Sequence, residues 1–107
     1  MAVTTLSAIE LKERLARGDD LFLLDVREPM EFRYAKIEGS MLIPLQQIPQ
    51  RLDELNSQRE IVVICHHGIR SLQAAHYLTH QGFSKILNLA GGIDAWSLHC
   101  DTSVPRY

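Results

Sequence analysis

The segment from Ile61 to Ser71, IVVICHHGIRS, sets Cys65 at the end of an apolar run and follows it with a short loop containing Gly68. It closes on Arg70 and Ser71 at the head of a helical pattern. A strand of that kind delivers a sulfur to the carboxyl edge of a sheet. Loop amides can then curl around it, and the helix behind adds the positive end of its dipole. These surroundings favour the thiolate, the nucleophilic form of cysteine. The chemistry to expect is attack by Cys65, with His66, His67, Gly68, Ile69 and Arg70 as the cradle for what it attacks. Gly68 supplies the residue free to take positive φ where loop amides converge. Arg70 has two open uses, as charge beside a substrate or as a pin on backbone carbonyls.

Other residues offer chemistry with less support. Asp25 and Arg27 end an apolar run and read as a buried charged lattice, Asp25 accepting loop or helix N–H groups and Arg27 pairing with Glu31 one turn on. Cys100 is the second of two cysteines and sits in a polar tail, where an incidental thiol is expected rather than one that resolves an oxidised Cys65. His66, His67, His99 and Cys100 are zinc-ligand types. Adjacent histidines on a curled loop are expected to point different ways, and no Cys-x-x-Cys spacing is present, so no metal is expected. Trp96 and Phe32 read as core aromatics.

The elements that position these groups follow from pattern. Ser7 with Glu10 three residues on reads as a capping box opening a helix, with Ile9, Leu11 and Leu15 as its apolar positions and Gly18 as its stop. Leu21 to Val26 is short and almost wholly apolar, a strand covered on both faces. A short helical pattern follows Pro29, a short strand spans Met41 to Ile43, and Gln46 to Leu55 carries Ile48, Leu52 and Leu55 at helical spacing. Pro49 is tolerable there only in the first turn. Ile61 to Ile64 is a β-branched strand, Ser71 to Gln81 a helix with Leu72, Ala75 and Leu78 on one face, and Lys85 to Leu89 a further strand. Gly91-Gly92 turns that strand into a last helix around Ile93 to Trp96. Short apolar strands alternating with helices imply an α/β fold on a mainly parallel sheet, where ligands bind beyond the strands' carboxyl ends. Residues 99 to 107 should wrap the surface or fray.

The chain has 107 residues, 46% hydrophobic and 22% charged, the proportions of one compact globular domain over residues 1–107. A chain of this size buries roughly two thirds of its unfolded surface and needs no disulfide or structural metal. A formal net charge of -2 without a basic block argues against nucleic acid as a partner. No segment approaches the roughly 18 continuous apolar residues of a membrane span, and the first twenty residues lack the apolar stretch of a secretion signal. A cytoplasmic protein with free thiols and no membrane partner is the expectation.

Three segments together resemble the rhodanese-like sulfurtransferase family in its single-domain form, over about residues 4 to 98. LLDVREPMEF (Leu23 to Phe32) is similar to the family's first signature, CHHGIRS (Cys65 to Ser71) to its active-site loop, and LAGGIDAW (Leu89 to Trp96) to its carboxyl-terminal signature. The resemblance implies a five-stranded sheet with helices on both faces and no metal or organic cofactor. It implies that Cys65 takes a sulfane sulfur from thiosulfate or another persulfide donor and passes it to cyanide or a thiol acceptor, small or protein-borne. Asp25, Arg27 and Ser71 would support the loop. Four residues separate Cys65 from Arg70, as in family members acting on sulfur, while similar phosphatases and arsenate reductases have a loop one residue longer. A sulfur carrier serving one partner, with little turnover of its own, is the alternative. Where many members have a histidine before the second strand this chain has Lys36, and where thiosulfate-active members often have Arg or Lys in the loop it has His66 and His67. If those histidines supply the loop's charge, activity should rise as pH falls until the thiolate itself is protonated.

Overall fold

The computed structural model describes residues 3–107. In chain order it comprises β1 (Thr4–Leu6), α1 (Ala8–Ala16), β2 (Leu21–Asp25), α2 (Pro29–Tyr34), β3 (Met41–Leu42), a 3-10 segment (Leu45–Glu54), β4 (Glu60–Ile64), α3 (Ile69–His80), β5 (Ile86–Leu89) and α4 (Gly92–His99). The five strands form one sheet in the order β1-β5-β4-β2-β3. Every neighbouring pair is parallel. The fold is therefore α/β, with β4 at the centre and helices on both faces.

The faces separate by strand alternation. In β4, Val62 and Ile64 join Leu11 of α1 and Ile93 and Trp96 of α4 in one apolar cluster. Ile61 and Val63 point the other way, into a cluster with Ala74, Ala75 and Leu78 of α3 and Ile48 of the 3-10 segment. Cys65 continues that alternation and falls on the α3 face. Among the described residues no helix is long and apolar enough to cross a membrane.

Local chemistry explains most boundaries. Ser7 Oγ accepts from the Glu10 amide at 3.0 Å and Glu10 Oε1 accepts from the Ser7 amide at 2.9 Å, which satisfies two free donors at the start of α1. That helix buries Ala8 and Leu11, while Ile9, one of its expected apolar positions, is 56% exposed. In α3 the buried stripe runs through Ser71, Ala74, Ala75 and Leu78. Leu72, expected on one face with Ala75 and Leu78, is 40% exposed while those two are buried, because Ser71 takes the inward position. The segment expected as a helix from Gln46 is a 3-10 segment with a non-helical residue at Arg51 and Pro49 inside it. Pro49 has no amide hydrogen to donate, and the tighter, shorter-range turns tolerate that where an α-helix would not. β1 was not anticipated, since three residues carry no periodicity and their extended state follows from pairing with β5.

Candidate active site

Cys65 follows the last residue of β4 and is 1% exposed. The loop turns at Gly68, whose φ of 100° is the left-handed conformation that disfavours side chains. That turn aims the Gly68 N–H at Cys65 Sγ, 3.0 Å away. A Cβ on Gly68 would also stand 3.3 Å from both the Gly91 nitrogen and the Leu89 oxygen, so backbone crowds the loop from behind. The Cys65 thiol donates to Ser71 Oγ at 3.3 Å, and the Ser71 hydroxyl donates to Asn88 Oδ1 at 2.5 Å. Asn88 Nδ2 donates in turn to the Gly68 carbonyl at 3.2 Å. The sulfur thus lies between a backbone amide and a buried hydroxyl.

The start of α4 holds the other side of the loop. Ile93 N–H donates to the Cys65 carbonyl at 2.8 Å and Asp94 N–H to the His66 carbonyl at 3.1 Å. A Cβ on Gly92 would come within 2.3 Å of the Cys65 oxygen and 2.5 Å of the His66 oxygen, a separation only glycine permits. Gly91-Gly92 therefore turns β5 into α4 and also lets α4 cap the loop's carbonyls.

The charged groups pair differently from the sequence expectation. Arg70 forms a two-pronged ion pair with Glu31, at 2.7 and 2.8 Å, and pins no loop carbonyl. Arg27, fully buried, grips Asp25 with its Nε and Nη2 and donates to the Ala35 carbonyl. It meets only the backbone oxygen of Glu31, at 3.3 Å, so the expected Arg27–Glu31 pair is corrected: the carboxylate belongs to Arg70. Asp25 accepts the Arg27 amide as well as its side chain. Hydrogen bonds from Arg70 hold the Glu31 carboxyl well below its usual range, at about 2.

The tail returns to this lattice instead of fraying. Val104 is buried, Ser97 Oγ donates to its carbonyl, and Arg106 pairs with Asp94 at 2.9 Å. The Tyr107 hydroxyl accepts from Arg27 at 2.7 Å and donates to Glu31 at 2.8 Å. Its ring stacks on His66 with centroids 3.8 Å apart, and His66 stacks on His67 at 3.9 Å. The two histidines thus lie face to face, against the expectation that they diverge. Burial pushes the His66 imidazole below its ordinary titration range, which weighs against His66 as a source of positive charge near neutrality. Its Nε2 is buried with no partner. Ile69, on the loop's outer side, is 79% exposed.

His66, His67 and Asp94 bring ligand-type atoms within 4.8 Å of one another, whereas His99 and Cys100 are not part of that group. The two imidazoles are stacked with their planes 26° apart, and Asp94 is already held by Arg106. Cys100 packs against the α1–α4 cluster while Cys65 lies in the α3 cluster. Burial raises the Cys100 thiol above its ordinary range. Phe32 is half-buried, with the Lys36 ammonium 5.2 Å over its ring, and Trp96 lies in the core.

Sequence reasoning passed over Glu31 as the partner of Arg70, Asn88 and Tyr107. Asn88 had a signal, a polar residue inside the apolar run KILNL; Tyr107 had none in its neighbours.

Comparison with known proteins agrees with this architecture. Residues 7–99 match the model of the rhodanese-like domain. The chain is 39% identical over 97 residues to a sulfurtransferase of Allochromatium vinosum, covering 91% of each. It is 34% identical over 74 residues to a thiosulfate sulfurtransferase of Vibrio cholerae, covering 69% of this chain and 70% of that one. Among other relatives the matched region is 27% to 52% of a longer protein. The crystal structure of a rhodanese-like domain protein from Staphylococcus aureus superposes with a TM-score of 0.85 at 28% identity, over 98% of this chain and 99% of that one. With its parallel five-stranded sheet and the Cys65 loop at the carboxyl edge, this chain belongs to the rhodanese-like domain family.

Proposed function

We propose that the protein is a sulfurtransferase that carries sulfane sulfur as a persulfide on Cys65. The observation that carries this reading is the Gly68 amide set 3.0 Å from Sγ at the head of α3, beyond the end of the central strand. An N–H there stabilises negative charge on the cysteine sulfur before attack and again when it leaves. In the first half-reaction the Cys65 thiolate attacks the outer sulfur of thiosulfate; the S–S bond of the donor breaks and its electron pair leaves with sulfite. In the second, cyanide attacks the outer sulfur of the persulfide, thiocyanate departs, and the thiolate is restored. A thiol acceptor takes the sulfur in the same way and becomes a persulfide.

Arg70 bears on the donor. Its guanidinium is neutralised by Glu31, so the loop offers less free positive charge to a doubly charged anion than a lone arginine would. That arrangement favours a singly charged or protein-borne persulfide donor over thiosulfate, and it gives the carrier reading its support. A reducing compartment such as the cytoplasm fits both, because Cys65 and Cys100 are free thiols. The four-residue loop favours sulfur over phosphate as the reacting centre.

The test is thiosulfate:cyanide turnover in the parent beside Cys65→Ser and Cys65→Ala. The enzyme reading requires thiocyanate from the parent and none above background from either variant. A parent that gains a removable sulfur without turnover would identify a carrier. Cys65-dependent hydrolysis of an aryl phosphate, with no sulfur transfer, would overturn both.

A further inference from the structure

The direction of the hydrogen-bond chain from Asn88 through Ser71 to Cys65 is set by one group that cannot change its role, the Gly68 carbonyl. A carbonyl only accepts, so the Asn88 carboxamide must turn its Nδ2 toward Gly68, as the 3.2 Å contact shows. Its Oδ1 then faces Ser71 and takes the hydroxyl proton, at 2.5 Å. Ser71 has a single proton, so its lone pairs are left facing Cys65 Sγ, 3.3 Å away. The sheet makes this possible. Asn88 pairs with Val63 in the register of β5 and β4, and strand alternation puts it on the α3 face with Val63 and Cys65, against the first turn of α3 where Ser71 sits. Asn88 and Ser71 are both buried, 5% and 0% exposed, so water does not compete freely for these contacts.

We propose that Asn88 is a positioning residue for the reactive thiol: by holding the Ser71 hydroxyl proton it makes Ser71 an acceptor toward Cys65 and competes with the sulfur anion for that proton. The inference rests on Cys65 being the reacting group. When the thiol loses its proton, Ser71 has to turn its hydroxyl from Asn88 to the sulfur to stabilise the anion, at the cost of an unpaired buried Oδ1. Asn88 therefore sets how readily the anion forms. The Gly68 amide does not depend on Asn88 in the same way, because Ile93 and Asp94 of α4 hold the loop through the Cys65 and His66 carbonyls.

The other titratable groups around the sulfur come from five parts of the chain. Arg70 on α3 senses the charge on Cys65; Glu31 on α2 is paired with Arg70. His66 and His67 flank it on the loop, and Asp94 on α4 faces those two imidazoles. Tyr107 contacts Glu31 and His66. None of these side chains hydrogen-bonds to the Asn88 or Ser71 side chain, so substitutions at Asn88 leave their pairings in place.

The experiment is the rate of iodoacetamide alkylation of Cys65 against pH, followed on the Cys65 peptide by mass spectrometry. Parent, Asn88→Leu, Asn88→Asp, Ser71→Ala and the two Asn88 variants combined with Ser71→Ala are compared. Leucine has nearly the shape of asparagine and accepts no proton, so Ser71 is released to the sulfur. Below the midpoint of the profile, alkylation should become about threefold faster or more, a midpoint about half a unit lower. Aspartate keeps the acceptor and adds charge, so Asn88→Asp should slow alkylation. The gain from Asn88→Leu should vanish in the Ser71→Ala background. General loosening of the site would move both Asn88 variants the same way, and that result overturns the proposal, as does a gain that persists without Ser71. If Asn88→Leu does not fold, Asn88→Asp decides: its slowing must shrink in the Ser71→Ala background. A parent whose Cys65 does not react overturns the reactive-thiol reading itself, while a reactive Cys65 indifferent to Asn88 overturns only this inference.

Discussion

Glu31 carries more of the site than its place on a short helix suggests, for it binds both prongs of Arg70 and the hydroxyl of Tyr107. Its carboxyl titrates near 2 in the fold against 4.5 for the ordinary group, because Arg70 hydrogen bonds favour the charged form. The stabilisation from this depressed titration is whole above pH 4.5 and is lost as pH falls toward about 2. Urea denaturation of parent and Glu31→Gln should therefore show the parent's advantage at neutral pH shrinking through that acid window; a constant difference would contradict the pairing. Beside it, Arg27 and Asp25 form a buried pair that neither partner can leave without stranding a charge. The contiguous loop from Cys65 to Arg70 was legible in the sequence because its groups are neighbours in the chain. Arg70's partner was not, since Glu31 is as close to Arg27 in the chain as a helix pair would be, and only folding assigns its carboxylate.

Among the elements, α4 and the tail do work that their sequences barely advertise. α4 meets the Cys65 loop backbone to backbone at Gly92, where an added Cβ would lie 2.3 Å from the Cys65 oxygen and φ is already 58°. Gly92→Ala should cost on the order of 1–3 kcal/mol in unfolding free energy and slow sulfur transfer by moving the loop; wild-type stability and rate would contradict the close packing. The tail puts Tyr107 over His66, and burial is the leading cause of that histidine's lowered titration. Tyr107→Ala should therefore raise the His66 titration toward its ordinary range in an NMR pH series, and Tyr107→Phe, which keeps the ring, should raise it less. Strands and helices with several apolar positions were legible from periodicity. β1 and the docked tail were not: each is defined by a distant partner, β5 for one and the Arg27–Glu31 lattice for the other.

At the scale of the whole molecule, the parallel sheet gathers residues from five separate stretches at one edge. β2 supplies Asp25, α2 supplies Glu31, the β4–α3 connection and the first turn of α3 supply Cys65 to Ser71, β5 supplies Asn88, and the tail supplies Tyr107. The same sheet keeps the two cysteines in separate clusters on its opposite faces, so Cys100 does not face Cys65. A sulfur carried between donor and acceptor needs such a place, one thiol held by a fixed amide and shielded from its only potential disulfide partner in the chain. The direct test is the intact mass after brief exposure to thiosulfate or a small persulfide donor, with and without reductant. The parent should gain the mass of one sulfur atom, located on the Cys65 peptide, and lose it to reductant or cyanide; Cys65→Ser should gain nothing. No gain in the parent with either donor, or an equal gain in Cys65→Ser, would contradict the account.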